Sequence, residues 1–132
     1  MMDIKTHEQI DPRLCGAPLA VEPDFSRVAL TLDDAMKVDY HGLVHGGFIF
    51  GLADHAAMIA VNDPNVVLGA ADVKFLKPVR TGDAVVAEAR VTVKKGKKQM
   101  VSVTVTRHGE AVFTGEFTCF VLEHHVLADS PS

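Results

Sequence analysis

A helix-compatible apolar segment at residues 48–61 carries a carboxylate, Asp54, and is opened by two glycines, Gly46 and Gly47, while almost everything after it has the composition of strands. That combination limits the fold more than any other feature. The segment is interrupted by Asp54 and His55 and falls short of the roughly 20 apolar residues that cross a bilayer, so it belongs inside a protein. After the turn cluster Asn62, Asp63, Pro64 and Asn65, a β-branched stretch at 66–79 runs to Pro78 and a second turn, Arg80 to Asp83. Period-two alternation then takes over. Val85, Ala87, Ala89, Val91 and Val93 alternate with Glu88, Arg90 and Thr92; Val101, Val103 and Val105 alternate with Ser102, Thr104 and Thr106. Phe113, Phe117, Cys119 and Val121 repeat the pattern after the turn at His108. These segments predict antiparallel meander strands.

Before the helix, Phe25, Val28, Leu30 and Leu32 predict an edge strand close to Pro23. Residues 1–20 predict a short helix and an opening strand, and 127–132 a polar tail. The lysine-rich stretch 94–98 reads as a solvated hairpin tip. One long helix among this many strands is an α+β pattern in which an antiparallel sheet wraps the helix. The 132 residues fit one domain, 1–132, with its core at about 21–122.

A net charge of −4 argues against a nucleic-acid partner, which would call for a basic excess. Cys15 and Cys119 are too few and too far apart for a disulfide framework, so reduced thiols and a cytoplasmic setting are expected. The first 11 residues hold acids, with Pro12 directly after them, where a signal peptide needs a basic start and an apolar run. Neither export nor a membrane partner is expected.

Asp54 shares a helical stripe with Gly47, Phe50, Gly51, Ala57, Met58 and Val61, so it is expected to be desolvated. A carboxylate there needs hydrogen bonds, a pairing charge or an open cleft. One reading binds it to His55, His45 or nearby backbone; the other makes it a reactive group, since the unpaired amides at the helix start can hold a developing oxyanion. Gly46 and Asp54 are eight positions apart, about 12 Å of axial rise on one helix, so one carbonyl cannot touch both. If both act on one substrate, Asp54 must come from a second, antiparallel copy of the helix. A homodimer with two shared sites follows, with a dimer of dimers as the larger alternative.

The string Gly42, His45, Gly46, Gly47, Leu52, Ala53 and Asp54 resembles the hotdog-fold acyl-CoA thioesterases of the phenylacetate-pathway type, more distantly related to the 4-hydroxybenzoyl-CoA thioesterases. Residues 72–78 and Thr81, Gly82 and Asp83 are similar to the strand and turn after that family's helix. The resemblance implies a hotdog fold and hydrolysis of an acyl-CoA. It places Gly46 N–H in the oxyanion hole, His45 beside the thioester, and the partner's aspartate at this position as general base or nucleophile. Gly47, Phe48, Phe50 and Met58 would then line the substrate pocket. The family's asparagine six residues before the histidine is Asp39 here. An ionised aspartate accepts but does not donate a hydrogen bond, so Asp39 reads either as a substrate-orienting group or as a turn residue. Lys74, Lys77, Arg80 and the 94–98 hairpin are candidates for the CoA phosphates.

No cofactor is expected, and a metal is disfavoured. His41, His45, Asp54 and His55 lie close in sequence, but on a helix His55 points about 100° away from Asp54. Three rival functions differ in class. Residues 70–75 resemble the acyl-CoA-sensing half of a malonyl-CoA-responsive lipid-synthesis repressor, although such sensors carry an amide where this chain has Asp54. An enoyl-CoA hydratase of the same fold class has an aspartate and histidine five apart, whereas Asp39 and His45 are six apart. A non-catalytic scaffold is the third, because a fold alone does not fix a function.

Overall fold

The computed structural model describes residues 1–128; of the tail read at 127–132, residues 129–132 lie outside the described residues. A four-residue helix α1 (Pro12–Cys15) opens on Asp11, whose side chain accepts the Arg13 amide, and Pro12 occupies the first turn, where its missing N–H costs nothing. Strands β1 (Ala17–Glu22) and β2 (Phe25–Thr31) follow, then a 3-10 turn (Asp34–Met36) and the long helix α2 (Gly46–Val61). Helix α2 ends at Asn62 in the left-handed conformation, φ 54° and ψ 47°, its N–H donating to Met58 O at 2.8 Å. Pro64 then bars continuation. Strands β3 (Val66–Phe75), β4 (Ala84–Lys95), β5 (Lys98–Arg107) and β6 (Glu110–Val121) complete the chain.

All strand pairs are antiparallel, in the order β1-β2-β4-β5-β6-β3. The expected meander is β4-β5-β6, with Ala87 opposite Val105 and Val103 opposite Gly115. The alternation sets its inward face: Val85, Ala87, Ala89, Val101, Val103, Val105, Phe113, Phe117 and Cys119 are all buried. They close on Leu52, Ala53, Ala56 and Ala60 of α2, where alanines let the sheet approach the helix axis. The stretch 94–98 is indeed a hairpin tip, with Lys95 facing Lys98.

Two expectations need correction. β2 is not an edge strand, because it pairs with β1 on one side and β4 on the other; Pro23 sits outside both strands, at the β1–β2 turn. The segment at 66–79 is strand only to Phe75, beyond which the chain leaves β3 for the opposite half of the sheet. That connection, 76–83, crosses the ends of β6 and β5. Leu76 N–H donates to Val112 O, and Arg107 holds both Pro78 O and Asp83 Oδ2, at 3.1 and 3.0 Å. Among the described residues, no helix is long and apolar enough to cross a membrane.

Candidate active site

The start of α2 is built by two loops that meet. Residues 37–44 run beside 76–83: Val44 N–H donates to Val79 O, Thr81 N–H to Gly42 O, and Leu43 bridges Arg80. His45 N–H donates to Met36 O at 3.0 Å, which fixes the entry into the helix. Among the described residues, the His45 side chain makes no capping bond, and the Gly46 and Gly47 amides have no backbone acceptor outside the helix. Uncapped amides at the positive end of a 16-residue helix are donors available to an anionic oxygen.

The glycines were expected to open space for a ligand; the chain's own rings take that space. A Cβ on Gly46 would lie 3.1 Å from the Phe75 ring, and one on Gly47 would lie 2.8 Å from His45 Nε2. Phe75 is in turn edge-on to Phe113, ring centroids 5.2 Å apart. His45 is exposed and meets Phe48 edge-on at 6.1 Å. Beside Gly46 lies a mainly apolar cleft of about 300 Å³ lined by Val44, Ile49, Phe75, Leu76 and Val112.

One helical turn after another, the Asp54 stripe passes from solvent into the core. Gly47 is exposed, Phe50, Gly51 and Asp54 are half-buried, and Ala57 and Met58 are fully buried. Nothing lies within 4 Å of a Cβ built on Gly51, so this face of α2 is uncovered by its own sheet. Phe50 leans on Phe117 from the edge of that opening. Met58, expected at the pocket, packs in the core at 1% exposure.

Asp54 Oδ1 is buried with no hydrogen-bond partner among the described residues. His55, offered by sequence as a partner, turns away: its Nδ1 lies 3.0 Å from Cys15 O, and burial holds the imidazole below its ordinary range, hence neutral. Desolvation pushes the Asp54 carboxyl up to about 6. The carboxylate is therefore ionised at neutral pH yet basic enough to take a proton. Cys119 behaves oppositely; burial, helped by the Asp54 charge, pushes its thiol up to about 12, so it stays protonated and is a poor nucleophile.

Asp39 Oδ1 accepts the N–H groups of His41 and Leu43 at 2.9 and 3.2 Å. It is a turn residue that shapes the loop leading to His45, and an asparagine carbonyl could accept the same two bonds. His41 lies with it in a neighbouring cleft, apart from Asp54. Among the described residues no three metal-ligating side chains converge. Sequence reasoning missed Phe75 and Arg107. Phe75 could have been suspected as an aromatic ending its strand directly after Lys74, whereas the hydrogen-bond partners of Arg107 lie 24 and 29 residues away and give no local signal.

A model of the thioesterase superfamily matches residues 41–114, the stretch from the loop before His45 to the middle of β6. The chain belongs to the thioesterase superfamily. Its hotdog fold and its resemblance to the phenylacetate-type enzymes, both read from sequence, are borne out by solved members. An uncharacterized protein of Pyrococcus horikoshii is 50% identical and superposes with a TM-score of 0.95 over 96% of this thioesterase-superfamily chain and 98% of that one. A mutant of the phenylacetic acid degradation protein PaaI from Thermus thermophilus is 28% identical, with a TM-score of 0.77 over 83% and 95% of the two chains. Among curated relatives, methylthioribose-1-phosphate isomerase of Aquifex aeolicus is 50% identical over 123 residues, 92% of this chain and 27% of that protein. Transcription factor FapR of Caldanaerobacter subterraneus is 33% identical over 85 residues, 64% of this chain and 42% of that protein. The chain thus spans less than half of the length of these two curated relatives.

Proposed function

We propose that this thioesterase-superfamily chain hydrolyses an acyl-CoA thioester to a free acid and CoA, in a homodimer whose partner chain supplies the aspartate. The observation that carries the reading is the pair of unspent groups on one helix: the uncapped Gly46 amide and the partnerless carboxylate of Asp54. At about 12 Å apart along the axis they cannot meet on one carbonyl, whereas two antiparallel helices joined by their open faces bring each group to the other's partner. The thioester carbonyl oxygen takes the Gly46 N–H, and the aspartate removes a proton from water as it attacks the acyl carbon. The tetrahedral oxyanion gains from the amide an amount on the order of 3 kcal/mol. Collapse breaks the C–S bond. The thiolate of a thiol with pKa of about 8.5 leaves with little need of an acid, and the proton on the carboxyl returns to solvent or sulfur. His45, beside Gly47, positions the thioester, and Phe48 and Phe50 face the acyl group. Thioester chemistry of this kind needs no cofactor.

The test is thiol release from acetyl, medium-chain, long-chain and aromatic acyl-CoAs by wild type, Asp54→Asn and Gly46→Pro. Proline is favoured at the first helical position and deletes the amide donor. Each variant alone should be inactive. Mixed and reassembled, half-and-half dimers recover one intact site, about a quarter of wild-type activity for random pairing. Additive inactivity on mixing would place both groups in one chain and end the shared-site reading.

The similarity to FapR supports a second reading, an acyl-CoA-binding domain without turnover. Wild type that binds acyl-CoA and releases no thiol would favour it; the desolvated carboxylate, where the repressor-type sensors have an amide, favours hydrolysis.

A further inference from the structure

The N-terminal strap, residues 1–16, lies outside the segment that the family model matches, and it is tied to α2 at two places. Near its start, Lys5 N–H donates to Asn62 Oδ1 and Asn62 Nδ2 donates to Asp3 O, both at 2.8 Å, so the residue that ends the helix also clasps the strap. At its end, Cys15 O lies 3.0 Å from His55 Nδ1, and Gly16 sits so tightly that a Cβ there would stand 2.7 Å from Leu52 Cδ1. Between the ties the chain turns at His7, φ 55°, with Ile10 N–H donating to His7 O at 3.2 Å. A cleft of about 360 Å³ opens beside that turn. Its walls are aliphatic: Ile4, Ile10 and Pro12 of the strap, Pro18 of β1 and Ile59 of α2.

Three polar side chains reach this cleft: His7, Glu8 and His55. His55 is 2% exposed, and because a carbonyl only accepts, its Nδ1 carries the proton and its Nε2 is left as a bare acceptor. Among the described residues Nε2 has no hydrogen-bond partner, and the cleft is its outlet. A buried acceptor without a donor is a standing cost that a bound donor removes. His7 Nδ1 and Thr6 Oγ1 are hydrogen-bonded at 2.8 Å, which leaves His7 Nε2 as a second ring nitrogen. Burial holds both imidazoles below their ordinary range, and His55 lowers His7 further, so neither offers a positive charge at neutral pH. An anion finds no counter-charge there and faces the Glu8 carboxylate. A cation would lose its water against aliphatic walls for one exposed carboxylate, and among the described residues no three metal-ligating side chains converge.

We propose that this cleft binds a small uncharged ring compound of phenol size, whose hydroxyl donates to His55 Nε2 while the ring lies against Ile4, Ile10, Ile59 and the two prolines. The volume is at the small end of ligand pockets and suits a single ring. A phenolic O–H is a strong neutral donor. In apolar surroundings one such bond discriminates sharply, because an analogue without the hydrogen leaves the imidazole unpaired. Asp54 and His55 are consecutive on α2 and point about 100° apart, so the cleft opens on another side of the helix from the carboxylate. The site stands whether or not the chain hydrolyses a thioester.

The experiment titrates phenol, anisole and benzoate into the full chain, followed by calorimetry and by the nitrogen NMR signal of His55 Nε2. Phenol should bind with a Kd of about 1 mM or tighter and move that signal. Anisole has the same ring and no donor, and benzoate is charged; each should bind about tenfold more weakly or worse. Two variants close the site from opposite sides: Ile10→Trp fills it from the half-buried strap position, and His55→Phe keeps a ring and removes the acceptor. Each should weaken phenol about tenfold or more. His55→Phe also loses the bond to Cys15 O, so Ile10→Trp decides where the two disagree. Phenol that fails to bind, anisole that binds as tightly as phenol, a His55 signal that phenol leaves in place, or phenol binding that survives Ile10→Trp overturns the proposal.

Discussion

The imidazole of His45 lies over Gly47 so closely that a Cβ on the glycine would stand 2.8 Å from Nε2. The second glycine of the His-Gly-Gly run is thus a seat for the histidine's ring. Gly47→Ala should therefore separate stability from turnover. Alanine in the first turn favours the helix by about 0.5 to 1 kcal/mol, and the exposed imidazole can swing away. The expected outcome is an unchanged or slightly higher unfolding midpoint with kcat lowered about tenfold or more; unchanged kcat would remove His45 from the site.

Asp54→Asn should abolish most hydrolysis and stabilise the fold. Loss of a general base costs about 100-fold or more in kcat. A carboxyl pushed up to about 6 binds protons more readily folded than unfolded, so its contribution to stability is best below about pH 4 and is lost as pH rises through 6. Removing the charge should raise stability at pH 8 by up to about 3 kcal/mol, an advantage that vanishes near pH 4. Chemical denaturation at both pH values, at fixed protein concentration, measures it.

The same group predicts the shape of the pH–rate profile. The general base works ionised, so kcat/KM should climb through about pH 6 and level off above it. A flat profile from pH 5 to 8 would mean that no titration of this carboxylate limits the chemistry.

His55 pulls stability the other way. Its pKa is lowered by burial, so below about 6.5 the unfolded chain takes a proton that the folded chain refuses, and stability falls on acidification. In wild type the Asp54 gain offsets this over the same range. Asp54→Asn should therefore lose stability more steeply than wild type between pH 6.5 and 4, as read from midpoints across that range.

At Asp39 the expectation is conservative. Asp39→Asn retains the acceptor for the His41 and Leu43 amides and should change stability by less than about 0.5 kcal/mol. Asp39→Ala loses both bonds and should cost about 1 to 2 kcal/mol. Denaturant midpoints of the three proteins rank them.

Much of this architecture was legible residue by residue. The inward positions of β4 and β5 follow from alternation at Val85, Ala87, Ala89 and at Val101, Val103, Val105, because strand geometry sends every second side chain to one face. The helix at 46–61 and its end at Asn62 follow from apolar, helix-compatible composition and a proline-bearing turn. The His-Gly-Gly to Asp54 string carried the family. These are local signals, fixed by each segment's own dihedrals and periodicity.

Tertiary structure alone decided which partners those segments meet. It put β2 inside the sheet and β3 at its edge, sent His55 to Cys15 O and, among the described residues, left Asp54 Oδ1 without a hydrogen-bond partner. It also laid Arg80 beside Asp39 and Phe75 over Gly46. Strand order and the satisfaction of a buried polar atom depend on groups distant along the chain, and no window of neighbouring residues encodes which of them arrives.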